Sequence, residues 1–200
     1  MKNQNGLRAA TLKGDRILYI TQAGIIAAIY VVLTVVFAPL AFKEIQVRFA
    51  EMLTILPFFF PAAVPGVFIG CIIGNILGGA VLPDVIFGSL ATLIGALGTY
   101  FIGKAYRRKA AAQHEQAFSA AQHEQAFAPT DEIRPPTRYL IIAAIPPIIA
   151  NALIVPFVLK YAYGVPMAIP LMMFTVGVGE IASCAIFGVM LGRIVYKFTV

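Results

Sequence analysis

Charged residues are scarce in this chain, and the shortage indicates its class. Of 200 residues, 12% are charged and 60% are hydrophobic, and the mean hydropathy is +0.87. A soluble globular chain carries about a quarter charged residues. A core of this size could not hide so much apolar surface, because much of a small protein remains exposed. The composition therefore predicts an integral membrane protein.

Cysteine and histidine are also rare, with two of each. Cys71 and Cys184 lie inside apolar runs, where they are expected to be small packing residues, so we expect no disulfide framework and no metal site. His114 and His123 belong to a polar insertion in which "AAQHEQAF" occurs twice. Such a duplication is typical of a solvated helix or disordered loop. A histidine-based reaction inside the membrane is therefore disfavoured.

A nucleotide-binding loop is missing as well. The stretch "GTYFIGK", from Gly98 to Lys104, fits the first part of a phosphate-binding motif. Ala105 follows, however, where the motif needs a hydroxyl group for magnesium. The stretch also ends an apolar run, whereas the motif follows a strand and opens a helix. We therefore expect no ATPase, no catalytic residue and no cofactor in this chain; uphill transport would need another subunit.

The apolar runs predict an all-α bundle of six transmembrane helices. They contain Gly and Pro and lack the short alternation of barrel strands, which favours helices. About 20 apolar residues span a bilayer. The predicted spans are residues 17–38, 46–60, 64–80, 83–103, 138–160 and 167–196.

The basic residues predict which side each segment faces. The chain divides into a polar tail (1–16), four helices (17–103), a polar loop with the duplication (104–137) and two helices (138–197). With the N-terminus inside, twelve Lys and Arg residues lie on the cytoplasmic side and three on the outer side. This asymmetry follows the positive-inside rule and predicts that both termini are cytoplasmic. It also accounts for the net charge of +6 without a nucleic-acid partner.

Small residues recur at four-residue spacing in two predicted spans. The third span carries a smooth stripe of glycines, Gly66, Gly70, Gly74 and Gly78. Such a stripe lets a neighbouring backbone approach closely, and packing within the chain is the expected use. The first span carries two small pairs, Ala23 with Ala27 and Gly24 with Ala28. Spacing alone leaves open whether this face packs inside the bundle or docks a partner.

Polar residues inside the spans are the candidate functional groups. Asn75, Asn151 and Glu180 lie in the third, fifth and sixth predicted spans. A carboxylate at that depth is costly unless it is paired or faces a cavity, which marks Glu180 as a functional candidate. A structural role, bound to a polar group of another helix, is the alternative.

The stretch "FKEIQVRFAEMLTILPFFFP", from Phe42, places charges directly before an apolar run. On a helix, Glu44, Arg48 and Glu51 would share one face, and Glu44 with Arg48 would suit a helical ion pair. An exposed pair at the outer helix end is one interpretation. The other is an outward-facing cup of charged, aromatic and amide groups that binds a small, polar, planar ligand.

The segment "KEIQVRFAEMLTILPFFFPAAVPGVFIGCIIGNILGG", residues 43–79, resembles the QueT family, and the resemblance extends over 17–103 and 138–196. It implies a substrate-binding S-component of an energy-coupling factor (ECF) transporter in the bacterial plasma membrane. Such subunits have six helices, bind substrate near the outer face, and work with a transmembrane T-component and two ATPases. The family's docking motif on helix one corresponds to Ala23 and Ala27, with Gly24 and Ala28 beside them.

The resemblance also implies a queuosine precursor, 7-cyano- or 7-aminomethyl-7-deazaguanine, as substrate. A carboxylate can accept the donor edge of such a base, while an amide or Arg can donate to its carbonyl. We therefore predict that the donor edge is bound by Glu180, with Glu51 as second choice. The predicted donors to the carbonyl or the 7-substituent are Arg48, Gln46, Asn75 and Asn151. The ring would stack on Phe42, Phe49 or Tyr161, and a 7-aminomethyl cation would be bound by Asp84 or Glu44.

Other functions are weighed against this one. A stand-alone secondary transporter would use Glu180 or Asp84 as proton carrier, but the two halves of the chain show no obvious repeat, which many such carriers have. An intramembrane enzyme would need a nucleophile–base or metal constellation in the spans. A non-transporting scaffold would not need a carboxylate as deep as Glu180.

Overall fold

The structure is a computed structural model that describes residues 2–37, 48–124 and 135–199. This part of the chain forms helices and no strand. The helical elements are α1 (Lys2–Val36), α2 (Phe49–Phe58), α3 (Ala63–Leu77), α4 (Leu82–Glu124), α5 (Thr137–Tyr161), α6 (Ile169–Glu180), a π-helical segment (Ile181–Phe187) and α7 (Gly188–Thr199). Helix α2 has 3-10 geometry, and the last three elements follow one another without a break.

Four helices are long and apolar enough to cross a membrane: Gly14–Val36, Leu82–Gln116, Thr137–Tyr161 and Ile169–Lys197. The other two predicted spans correspond to α2 and α3, which are apolar but short. At the usual rises per residue they extend about 20 Å and about 22 Å, against about 30 Å of hydrocarbon. An all-helical membrane protein is thus confirmed, and the six-span topology with both termini inside stays a prediction.

Large apolar side chains cover the outside of the bundle. They include Ile73 on α3, Phe101 on α4, Phe157 on α5 and Phe174 on α6, each more than 40% exposed. A water-soluble protein does not present such large apolar patches. These faces therefore suit contact with lipid.

Helix α3 packs directly on α1 through its glycines. A Cβ on Gly70 would lie 2.7 Å from Tyr30 Cβ, and one on Gly74 would lie 3.0 Å from Thr34 Cβ. Gly66 similarly faces the carbonyl oxygen of Ala23, at 2.9 Å. The glycine stripe is therefore used within the chain, and it brings Tyr30 of α1 into the interior.

This contact predicts that a single methyl group destabilises the protein. Gly70→Ala should lower the free energy of unfolding by about 1–3 kcal/mol, because α1 and α3 would have to separate. Thermal unfolding in detergent measures the loss. Gly24→Ala is the matched control, because nothing lies within 4 Å of a Cβ at that position. Equal melting temperatures for the two variants would contradict the close packing.

Helix α2 lies in the interior of the bundle, and α4 closes over its end. Eight of its ten residues are buried. Arg107 of α4 donates a hydrogen bond to the carbonyl oxygen of Phe58, and Gly103 packs against the same backbone. Gly98 packs against Pro146 of α5. Both glycines of the "GTYFIGK" stretch are therefore helix-packing residues.

Helix α4 does not end at residue 103, where the predicted span ends. It continues through the first copy of "AAQHEQAF" and into the second, as far as Glu124. Its residues 111–116 are exposed, including His114. The polar insertion thus begins as a solvated helix, one of the two forms that its composition predicted.

Candidate functional site

Six of the predicted ligand-binding residues are buried together inside the bundle. Their exposure lies between 0% and 6%, so none of them is a surface group: Arg48, Glu51, Asn75, Asp84, Asn151 and Glu180. Phe42, Gln46 and Glu44 lie outside the described residues. Whether any of these side chains contacts a ligand stays a prediction.

Glu51 is held by hydroxyl groups from two neighbouring helices. The Tyr30 hydroxyl of α1 donates to Glu51 Oε1 at 2.5 Å, and the Thr92 hydroxyl of α4 donates to the same atom at 2.6 Å. The other carboxylate oxygen, Oε2, is buried and has no hydrogen-bond partner among the described residues. Because α2 is a 3-10 helix in the interior, it carries this carboxylate into the bundle between α1 and α4.

Glu180 lies where α6 passes into the π-helical segment. Its Oε2 lies 3.4 Å from Cys184 Sγ, which is one turn further along. The amide of Asn151 on α5 faces the same carboxylate but stands outside hydrogen-bond geometry. π-Helical turns occur frequently at functional sites. This one places a carboxylate and a thiol side by side.

The two carboxylates lie close to each other. One carboxylate oxygen of Glu51, one of Glu180 and the sulfur of Cys184 all lie within 4.8 Å of one another. We call Glu51 and Glu180 the carboxylate pair. Within the described residues neither member forms an ion pair.

A second cluster, the Arg48 cluster, consists of Arg48, Asp84 and Tyr163. Arg48 Nη2 donates to both oxygens of Asp84, at 3.0 and 3.2 Å, and the Tyr163 hydroxyl donates to Asp84 Oδ2 at 3.0 Å. Burial, and then the charge of Asp84, raise the pKa of Tyr163 to about 12. Its phenol therefore stays protonated and donates at neutral pH. The cluster ties together the start of α2, the start of α4 and the α5–α6 connection.

The ion-pair partner of Arg48 in this structure is distant in the sequence. Arg48 pairs with Asp84, 36 residues away in the chain, and not with Glu51. Its other terminal nitrogen, Nη1, is buried without a partner among the described residues. Asp84, predicted to hold a ligand cation, binds Arg48 and Tyr163 in this structure, and its contact with a ligand stays a prediction. Arg48 therefore positions Asp84 and still has one donor free.

Gly88 is a site residue that sequence reasoning missed. A Cβ there would lie 2.8 Å from Asp84 Oδ1, 3.3 Å from Arg48 Nη1 and 3.4 Å from Asn75 Nδ2. The signal was its spacing: four residues after Asp84, it shares that residue's helix face. Sequence reasoning also missed four other residues. The partners of Tyr30, Thr92 and Tyr163 are distant in the sequence. Cys184 lies near Glu180 in a π-helical segment, which the sequence did not indicate.

Several buried polar atoms lack hydrogen-bond partners in the described part of the chain. They are Arg48 Nη1, Glu51 Oε2, Ser89 Oγ, Ser183 Oγ and both side-chain polar atoms of Asn151. Native proteins leave few such atoms, and each calls for an explanation. A bound polar ligand would supply one.

The cavity beside Arg48 is small. Its volume is about 10 Å³, and it is lined by residues that include Tyr30, Phe37, Phe49 and Asn75. This is room for about one water molecule. A ligand the size of a nucleobase therefore requires these side chains to move apart. The ring of Phe49 lies against Phe37, with centroids 4.6 Å apart, and forms an aromatic wall beside the cavity.

The residues predicted to dock a partner do not all face the same way. Ala27 is buried against Gly70, and Ala23 is half-buried. Gly24 and Ala28 are exposed. Of the two small pairs, Gly24 with Ala28 is the one that a partner could reach, and docking itself stays a prediction.

Comparison with known proteins identifies a family. Residues 20–197 match the family model described as QueT transporter. No curated protein and no solved structure matches the chain. The match includes every buried polar residue of the two clusters. It supports transport of a small molecule across a membrane as the role of the chain.

Proposed function

Because the chain belongs to the QueT transporter family, we propose that it is the substrate-binding S-component of an ECF-type importer for a queuosine precursor. The substrate would be a 7-deazaguanine, bound in the interior cavity. The sequence contains no phosphate-binding motif, so two partner ATPases and a transmembrane T-component would supply the energy. The exposed small pair Gly24 and Ala28, continuous with Ala23, offers a smooth face for the T-component.

The carboxylate pair and the unpartnered polar atoms around it carry this proposal. A 7-deazaguanine presents N1–H and a 2-amino group on one edge, and a carboxylate can accept both. Glu180 is our assignment for that edge. Asn151 Nδ2 and Arg48 Nη1 are donors without partners in the described structure, and either can serve the base carbonyl.

The ring system of the base needs an apolar surface as well as polar partners. Phe49 lines the cavity beside Arg48, and its ring contacts both Phe37 and Phe187. A planar base can stack on such a wall. The cavity beside Arg48 therefore offers donors and an aromatic face, and the acceptors of the carboxylate pair would have to join it once it opens.

We predict that Glu180→Gln weakens ligand binding at least about tenfold, since an amide replaces one acceptor with a donor that faces the donor edge. Calorimetry on the purified full chain would compare 7-cyano- and 7-aminomethyl-7-deazaguanine with guanine and riboflavin. Glu115→Gln, the same substitution at an exposed position of α4, is the matched control.

The outcomes separate the parts of the proposal. Unchanged affinity in Glu180→Gln would remove Glu180 from the site. Binding of riboflavin alone would overturn the substrate class and leave the architecture. Uptake by the chain alone in liposomes, driven by a pH gradient without ATPase partners and lost in Glu180→Gln, would instead establish a proton-coupled secondary transporter that uses Glu180.

A further inference from the structure

The charges around the carboxylate pair do not balance. Arg48 lies near the pair, but its Nη2 is bound to both oxygens of Asp84, so these two charges offset each other. Glu51 and Glu180 remain, with exposures of 0% and 1% and no ion pair in the described chain. The titratable or polar groups near them come from several elements: Tyr30 on α1, Arg48 at the start of α2, Cys71 on α3, Thr92 on α4, Asn151 on α5, and Cys184 on the π-helical segment.

The two carboxylates lie close enough together to share a proton. One carboxylate oxygen of Glu51 and one of Glu180 lie within 4.8 Å of each other, and both residues are buried. Two ionised carboxylates at that separation repel each other strongly in a low dielectric, and a shared proton would remove this repulsion. Glu51 Oε2 and the Asn151 amide, both buried and unpartnered, face this region and indicate that it accommodates a further polar group.

We propose that Glu51 and Glu180 share one proton in the ligand-free protein and release it when a positively charged ligand binds. This inference rests on the proposed function and deepens it. No covalent bond forms or breaks: the proton passes to the solvent, and the positive charge of the ligand replaces it. The site thereby selects the cationic member of its ligand class.

The 7-substituent of the base determines that charge. A 7-aminomethyl group carries an ammonium at neutral pH, since alkyl amines titrate near the value of lysine, about 10.4. A 7-cyano group is neutral. The aminomethyl ligand can therefore compensate a second ionised carboxylate, whereas the cyano ligand leaves the shared proton in place. Asp84 is already bound to Arg48 and Tyr163 in this structure.

Calorimetry tests the exchange on the purified full chain. Each ligand is titrated at pH 6, 7 and 8, in buffers with different ionisation enthalpies, which gives the number of protons released. We expect about one proton released per 7-aminomethyl ligand and none per 7-cyano ligand. The affinity for the aminomethyl ligand should then rise by up to about tenfold per pH unit, while that for the cyano ligand stays constant.

Two variants locate the proton. Glu51→Gln retains an oxygen that can accept from the Tyr30 and Thr92 hydroxyls, so it should fold. It should lose both the proton release and the preference for the cation. Glu180→Gln should also lose the release, with weaker binding overall. Glu115→Gln, exposed on α4, should behave as the unmodified chain does.

Each result is decisive. Equal affinities for the two ligands, with no proton released by either, would overturn the exchange and leave the proposed function standing. Proton release that persists in both Glu51→Gln and Glu180→Gln would also overturn it, because the proton would come from another group. Failure of both deazaguanines to bind would overturn the exchange together with the proposed function.

Discussion

Arg48→Met is expected to lower the free energy of unfolding by about 3–5 kcal/mol, because it leaves the Asp84 carboxylate buried without its cation. Asp84 is 1% exposed, and Arg48 is its ion-pair partner in the described structure. Tyr163 would still donate one hydrogen bond, which does not replace a full charge. Thermal or denaturant unfolding in detergent measures the change.

A second variant distinguishes loss of the pair from loss of packing. Arg48→Met combined with Asp84→Asn removes both charges, so most of the lost stability should return. Arg108→Met, at an exposed position of α4, controls for the substitution itself. A double variant that unfolds as easily as Arg48→Met would show that the arginine stabilises the protein through contacts other than Asp84.

Gly88→Val should reduce ligand affinity by more than about a hundredfold, and it is the largest binding effect that we expect. Its Cβ would lie 2.8 Å from Asp84 Oδ1 and 3.3 Å from Arg48 Nη1. The branched side chain would therefore displace both groups and occupy the space beside Asn75. Calorimetry with the 7-deazaguanines measures the affinity.

The control for this variant lies on a different face of the same helix. Leu90→Val introduces the same β-branched residue at a position that is 40% exposed. Its ligand affinity should be unchanged, and its melting temperature reports any cost of a valine in α4. If Gly88→Val binds ligand as tightly as Leu90→Val does, the space around Gly88 is not part of the site.

The helical membrane character and the buried polar residues could be predicted because both depend on local properties of the sequence. Apolar runs indicate spans. A carboxylate inside such a run, such as Glu180, is conspicuous because burying its charge in the membrane costs free energy. The partner of Arg48 could not be predicted in this way. Its nearest helical candidate was Glu44, whereas Asp84 reaches it only through the packing of α2 against α4.

The short elements show a second limit of sequence reasoning. Residues 46–60 and 64–80 read as spans because hydropathy measures how apolar a segment is and not how far it extends. Helix α2 has 3-10 geometry and α3 has 15 residues, so each is shorter than the hydrocarbon layer is thick, and the six-span topology stays a prediction. In the same way, the small pairs of α1 were visible, but only the position of α3 shows that Ala27 is covered and Ala28 is not.

Helix α4 has 43 residues and begins two residues before Asp84. At about 1.5 Å per residue it is about 65 Å long, roughly twice the thickness of the hydrocarbon layer. Its first turn carries Asp84 of the Arg48 cluster, and the exposed residues 111–116 lie toward its other end. A change of about 10° in its tilt would move the far end by about 11 Å. A movement at Asp84 or Gly88 that tilts α4 would in this way displace residues at the other end of the helix.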